Sequence, residues 1–283
     1  MTGRGKWRSD FSSIAILAVL LFFSFVPILM MLSMSLRDSL DIYGDFWGLP
    51  ASPRWSNYGA AVKALVRPMW NSVYLSTLTI VGITFLSCLS AYVFARLRFL
   101  GKEMLFATIT FLMTLPAVLQ LTPNYMLADW LHLKNSLEGM ALFYIGSEQM
   151  FAIFLLRAFF QSQPEELFES ARMEGAGDWT CIWRIAVPLS YPILITLAIL
   201  NFLFIYNDLI WPLLVISKPD LATMAMAIQQ FVPNDTSGSG QISRPEVGII
   251  AAGYMFSSIP LLLLFLFGMN YFVDGLSSGA IKS

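Results

Sequence analysis

Charged residues divide this chain into long apolar runs, and the lengths of those runs set its architecture. A helix that crosses about 30 Å of hydrocarbon needs roughly 20 largely apolar residues. Between Asp10 and Arg37 an uncharged run is centred on Phe11–Met34, and others lie at Val73–Ala95, Met104–Met126 and Val247–Phe272. A run that begins after Arg184 continues apolar past Asp208 to Val215. The stretch Leu137–Phe160 carries Glu148 and Arg157, yet its remainder, with Met140, Leu142, Phe143, Ile153, Phe154 and Leu156, is too apolar for a loop. The runs are continuous rather than alternating, which excludes a strand barrel. The pattern predicts an all-α membrane protein with six transmembrane helices. Arg4, Lys6 and Arg8 ahead of the first run imitate a secretory leader. That run is longer than a leader's apolar core and no small-x-small site follows it, so it reads as an uncleaved first span.

Lys and Arg in short loops set the orientation of such a protein. With the N-terminus inside, ten fall on inner segments and seven on outer ones, and the turn Arg96–Lys102 alone carries three. The expected arrangement places both termini in the cytoplasm. Residues 1–10 form a tail and residues 11–283 one transmembrane domain, with its core at 71–273. The outer segment Arg37–Met69, with Asp38, Asp41, Asp45, Trp47, Pro50, Pro53 and Trp55, reads as an irregular extracytoplasmic loop with some helix at Tyr58–Leu65. Ser217–Glu246, rich in Gly, Ser, Pro and Asn, reads as a second loop. Its Asn234-Asp235-Thr236 matches a glycosylation sequon, a pattern that polar loops also produce by chance.

The inner segment 161–190 is amphipathic rather than merely polar. Ser162 with Glu165 has the spacing of a capping box, and Pro164 suits a first turn because its missing N–H costs nothing there. Glu165, Glu166 and Glu169 favour the positive end of a helix. Gly175 suits the residue just past the helix end, and Gly177 a further sharp turn. Asp178 is placed to cap a second helix through Trp179, Ile182, Ile185 and Ala186, closed by Pro188. The expectation is a short cytoplasmic helix–turn–helix between helices 4 and 5, exposing Phe168, Met173, Trp179, Ile182 and Trp183 unless something covers them. Such a projection is either a docking surface or a pair of helices lying on the membrane.

Composition removes most other function classes. The chain is 57% hydrophobic and 12% charged, with a mean hydropathy of +0.68; soluble domains carry about 25% charged residues. Seventeen Lys and Arg against eighteen Asp and Glu give no basic balance for nucleic acid. Cys88 and Cys181 cannot make a disulfide framework, and both read as inert small hydrophobes. His132, the one histidine, cannot make a multi-His metal site. No G-x-x-x-x-G-K-[ST], H-E-x-x-H or G-x-S-x-G occurs, so neither a catalytic nor a metal site is expected. Gly101-Lys102 is followed by Glu103 and lacks the upstream glycine.

The inner projection carries more than amphipathicity. It reads Glu169-Ser170-Ala171, three residues, Gly175, nine residues, then Ile185-Ala186-Val187-Pro188. This resembles the EAA signature of permease subunits in binding-protein-dependent ABC importers, with Ser170 and Val187 as two conservative departures. Asn71-Ser72, Ala91–Phe99, Asn207-Asp208 with Pro212-Leu213, and Gly275-Leu276 with Gly279-Ala280 are similar to the carbohydrate branch of that family. The resemblance covers about Asn71 to Lys282. It implies the type I importer permease fold, in the cytoplasmic or inner membrane of a bacterium or archaeon. It implies a second, related permease subunit and two ATP-binding subunits docking on loop 161–190, which would hold the ATP and Mg. It also implies an extracytoplasmic solute-binding protein. Glu169, Ser170, Ala171, Gly175, Ile185 and Pro188 would lie at the ATPase joint.

Charged residues inside spans are costly and default to functional hypotheses. Glu148 lies near the middle of the fourth run and Asp208 in the outer half of the fifth, with no Lys, Arg or His at comparable depth. A sugar wants Asp, Glu, Asn and Gln for its hydroxyls and aromatic rings for its C–H faces. Glu148, Gln149, Asn201, Tyr206, Asn207 and Asp208 supply the first, Tyr144 and Trp211 the second. Against this path, Asn207 and Asp208 could simply hold a kinked helix together near Pro212. Tyr254, Ser257 and Ser258 suit helix packing, and Trp70 and Tyr271 an interfacial belt. A polyol, amino acid or peptide fits the same residues. Two rivals stand beside the importer reading: a proton-coupled secondary transporter using Glu148 or Asp208, and an intramembrane enzyme, which the different depths of the two acids disfavour.

Overall fold

The computed structural model describes residues 3–231 and 246–280. The sequon at 234–236 lies outside the described residues. So do the side chains of Arg4, Lys6, Arg8, Tyr271 and the Gly275–Ala280 motif. All regular structure among the described residues is helical. The order is α1 (Gly3–Ser35), α2 (Ser39–Gly44), α3 (Ser56–Arg96), α4 (Lys102–Met113), α5 (Ala117–Trp130), α6 (Leu137–Gln161) and α7 (Glu165–Met173). A run follows of α8 (Asp178–Cys181), a π turn (Ile182–Ala186) and α9 (Val187–Leu189). Then come α10 (Tyr191–Asn207), α11 (Ile210–Val215), a 3₁₀ turn (Pro219–Leu221), α12 (Met224–Gln230) and α13 (Val247–Ala280). Among the described residues four segments are long and apolar enough to cross a membrane: Ile16–Ser35, Ser56–Arg96, Leu137–Gln161 and Val247–Met269.

The other two expected spans are not single straight helices. The third run is divided between α4 and α5, whose axes differ by 99°. Pro116 disfavours helical backbone at Leu115, and Pro116 itself is extended, with ψ 129°. In the fifth run the helical segment ending at Leu189 meets α10 at 78°. The run then breaks again at Asp208, which has extended backbone (φ −69°, ψ 127°). Pro212 has no N–H for the Asp208 carbonyl, and its ring would collide with that carbonyl in a continuous helix. With each bent pair taken as one span the count reaches six.

The chain forms two compact units. The first comprises Met1–Val66 and Ile228–Ile259. Its segment after α1, expected to be irregular, is organised around Arg37, which is buried. Its guanidinium donates to the carbonyls of Gly48 (3.0 Å), Asp41 (2.8 Å) and Asp45 (2.7 Å). Arg54 pairs with Asp38, and Asn57 donates to the carbonyls of Ser35 and Arg37. The helix expected at Tyr58–Leu65 is the first part of α3, which runs on through Pro68. Ser257 and Ser258 donate to the carbonyls of Tyr254 and Met255 in their own helix.

The second unit comprises Arg67–Ala227 and Pro260–Ser283. It has two apolar cores. One is built from Cys88, Tyr92, Leu156, Phe160, Phe168, Cys181 and Ile182. The other is built from Leu75, Ala128, Met140, Tyr144, Ile205, Trp211 and Met226. Close helix approaches use glycine: a Cβ on Gly82 would collide with Ile145, and one on Gly268 with Ile199.

Candidate functional site

The projection between α6 and α10 is built from α7 and the 178–189 helical run. α7 does not begin with the expected capping box. Ser162 closes α6, its hydroxyl donating to the Phe159 carbonyl at 2.8 Å, and Pro164 precedes the first helical turn. Glu165 turns away from the helix end to pair with Arg96. The C-terminal expectation for α7 holds. Gly175 has φ +87°, its N–H donates to Arg172 (3.0 Å) and that of Ala176 to Ala171 (2.9 Å). This is a Schellman turn, and its left-handed residue favours glycine. Gly177 has ordinary extended backbone (φ −78°), so no special freedom is needed there. Pro188 does not end the second helix but sits inside it. It cannot donate to the Arg184 carbonyl, and the preceding turn widens to a π turn closed by Val187 N–H to Ile182.

Burial corrects which face is free. Phe168 and Ile182 are buried and Trp183 is half-buried, stacked on Phe85 at 5.7 Å. Their partners come from α3, α6 and α10, which the sequence pattern did not bring together. Exposed are Leu167, Glu169, Ser170, Met173 (89%), Gly175 and Trp179 (61%), while Ala171, Ile185 and Pro188 are half-buried. Exposed apolar side chains therefore remain on the projection: Leu167, Met173 and Trp179.

The root of the projection is polar and closed. Gln163 donates to the Ala186 carbonyl (3.1 Å) and the Ser190 hydroxyl (2.9 Å), tying the two ends of the loop. Tyr92 on α3 donates to Asp178 (3.0 Å). Its hydroxyl beside Arg172 holds that guanidinium above its ordinary range.

The second candidate site is a cavity of ≈ 350 Å³ lined by α4, α5, α6, α10, the start of α11 and the break before it. Of the eight residues expected on a path, Tyr144, Glu148, Asp208 and Trp211 line it. Asp208 is held on both oxygens: the Tyr144 hydroxyl donates to Oδ2 at 2.6 Å and the Ile210 N–H to Oδ1 at 3.0 Å. Trp211 packs on Phe143 at 5.2 Å. Among the described residues neither Glu148 nor Asp208 enters an ion pair, and none of the lining residues is Lys, Arg or His. Asp208, at the chain break, and Glu148, inside α6, line the same cavity.

The other four lie elsewhere. Asn201 is buried and donates to the Leu197 carbonyl of its own helix (2.8 Å). Asn207 is exposed and does the same to Leu203 (2.7 Å). Tyr206 is buried against Phe202, and Gln149 is not in the lining. The sequence reading missed Gln120, Asn124 and Ser147, which do line the cavity. Gln120 and Asn124 are four apart within an uncharged run, a spacing that puts two amides on one helix face; that signal was available.

With this geometry in view, comparison with known proteins is direct. Residues 83–278 match the model of the family described as "Binding-protein-dependent transport system inner membrane component". The trehalose transport system permease protein SugB of Mycobacterium tuberculosis is 31% identical over 262 residues, covering 92% of this chain and 93% of the relative. The maltose/maltodextrin transport system permease protein MalG of Salmonella typhimurium is 29% identical over 280 residues, 90% of each chain. Among solved structures, a chain of a bacterial ABC transporter involved in the import of the acidic polysaccharide alginate superposes with a TM-score of 0.84 at 20% identity. That match covers 96% of this chain and 99% of the other. The bent helices, the projection and the acid-bearing cavity thus belong to a membrane protein of the binding-protein-dependent transport system inner membrane component family.

Proposed function

We propose that this chain is one of two related permease subunits of an ATP-driven importer and lines half of the path of a neutral carbohydrate. Six spans with both termini in the cytoplasm carry it, the third made by α4 with α5 and the fifth by α10 with α11. ATP and Mg are held by two separate ATPase subunits, which grip the projection at Glu169, Ser170, Ala171 and Gly175, with Ile185 and Pro188 in the helix behind. A solute-binding protein delivers the sugar from outside. The observation that carries this reading is the exposed Leu167, Met173 and Trp179 beside the Schellman turn at Gly175, in a family defined by transport with a binding protein. ATP-driven closure of the ATPases would tilt the projection and, through it, the spans.

The cavity supports a polyhydroxyl, uncharged ligand. Glu148, Asp208, Gln120, Asn124 and Ser147 offer acceptors and donors, and Phe143, Tyr144 and Trp211 offer rings. Two carboxyl groups with no cation among the lining residues disfavour an anionic sugar in so poor a dielectric. The trehalose and maltose relatives are named for neutral sugars; the alginate likeness carries the fold alone.

The test is a gentle-detergent pull-down of the tagged chain from its host, comparing wild type with Gly175→Arg. Wild type is expected to bring down an ATPase and a second permease, and Gly175→Arg to lose the ATPase. A wild-type chain that comes alone and still transports sinks the reading.

A further inference from the structure

The projection is chained to α6 and α10 by the backbone, and a further side-chain anchor comes from a third helix. Arg96, the last residue of α3, has a side chain only 6% exposed. Its Nη2 donates to the carbonyls of Phe160 (2.6 Å) and Gln163 (2.7 Å), at and just beyond the C-terminus of α6, where a cation is favoured. Its Nη1 pairs with Glu165 in the first turn of α7. Its guanidinium carbon lies 4.1 Å from the centre of the Phe168 ring, one turn further along α7. Phe168 is fully buried, with the Tyr92 ring, one turn back from Arg96 on α3, at 6.3 Å. One planar fork thus joins the end of α3, the end of α6 and the start of α7. An ammonium could supply the charge but not this geometry.

Resting on the docking reading above, we propose that Arg96 is a positioning residue that makes α7 and the end of α3 move as one body. Displacement of the docked projection is then delivered to the second span as well as to the two spans the loop connects. A rigid joint of this kind transmits a shift that a loose loop would absorb.

The experiment uses the full complex of this chain with its permease partner and ATPases in lipid nanodiscs. Spin labels are placed at Leu100→Cys and Glu166→Cys, both exposed positions outside the clamp and the docking residues; the native Cys88 and Cys181 are buried. The distance between the labels is measured without nucleotide and after trapping with Mg-ATP and vanadate. With Arg96 present it should be the same in both states. In Arg96→Ala it should broaden and shift between them, while the ATPases still co-purify and hydrolyse ATP. A distance that stays fixed in Arg96→Ala, or already shifts in wild type, overturns the proposal. A residue that only stabilised the fold would not make the distance depend on nucleotide. If Arg96→Ala fails to accumulate, Glu165→Gln, which removes the ion pair and leaves the carbonyl contacts, is read the same way. Loss of the ATPases from the wild-type complex would instead count against the docking reading.

Discussion

At the root of the projection, Phe168 and Cys181 are wholly enclosed, Arg96 and Gln163 bond backbone carbonyls of neighbouring segments, and Ser190 bonds the Ala186 carbonyl of its own run. At the cavity, Glu148, Gln120 and Asn124 are only half-buried and line open space, and the one fully engaged carboxylate, Asp208, sits at a helix break. The first arrangement resists deformation because every displacement costs packing and hydrogen bonds together. The second leaves polar groups free for a ligand and leaves the backbone irregular where it lines a cavity, as membrane proteins allow. A transporter needs both: a stiff handle and an adaptable lining.

The sharpest way to break that contrast is at Phe168. Truncating an enclosed aromatic side chain costs about 3–5 kcal/mol. Phe168→Ala should lower the melting temperature of the purified chain strongly and release the ATPases. An unchanged melting curve would mean that the projection is not the stiff element described here.

The cavity should respond the other way. Tyr144→Phe removes a hydrogen bond to a carboxylate, about 1.5–3 kcal/mol. Asp208→Asn keeps an amide oxygen to accept the Ile210 N–H, but its NH2 cannot accept from the Tyr144 hydroxyl and must donate to that oxygen instead, so it should cost no more than Tyr144→Phe. Uptake of neutral disaccharides should nevertheless fall in Asp208→Asn, with ATPase co-purification intact. Melting behaviour in Asp208→Asn as severe as in Phe168→Ala would erase the distinction between the two regions.

How much of each region was readable beforehand follows the same divide. The projection is local in sequence: Glu169, Ser170, Ala171 and Gly175 lie within one short stretch, and the αL turn at Gly175 follows from local backbone rules. What the pattern could not supply was its cover. That Phe168 is buried depends on Tyr92 and Arg96, some seventy residues away, and Arg96 read only as an inner-side cation. The cavity is non-local throughout. Glu148 and Asp208 stood out by charge, but that they share a wall depends on Pro116 and Pro212 breaking two runs which hydropathy alone joins. Asn201, Tyr206 and Asn207 stand out by polarity, and helical facing places them away from this cavity.

Gly175→Ala tests the handle more gently. Nothing lies within 4 Å of a Cβ added there, so the cost is that of placing an L-residue at φ +87°, about 1–2 kcal/mol. Asn tolerates this region better and should recover part of the loss. Equal melting temperatures for Ala and Asn would show that the strain of the turn is not what selects glycine.

Asn207→Ala should have the smallest effect. Asn207 is exposed and its amide bonds only the Leu203 carbonyl, four residues back in its own helix. Alanine is the better helix former, so stability should stay within about 0.5 kcal/mol of wild type. Its neighbour Asp208 faces the cavity, so the two substitutions separate the wall of the path from the helix that carries it. Uptake should survive Asn207→Ala and fail in Asp208→Asn. If Asn207→Ala abolishes uptake while the chain melts normally, the ligand passes a surface outside this cavity, and the cavity is not the whole of this chain's share of the path.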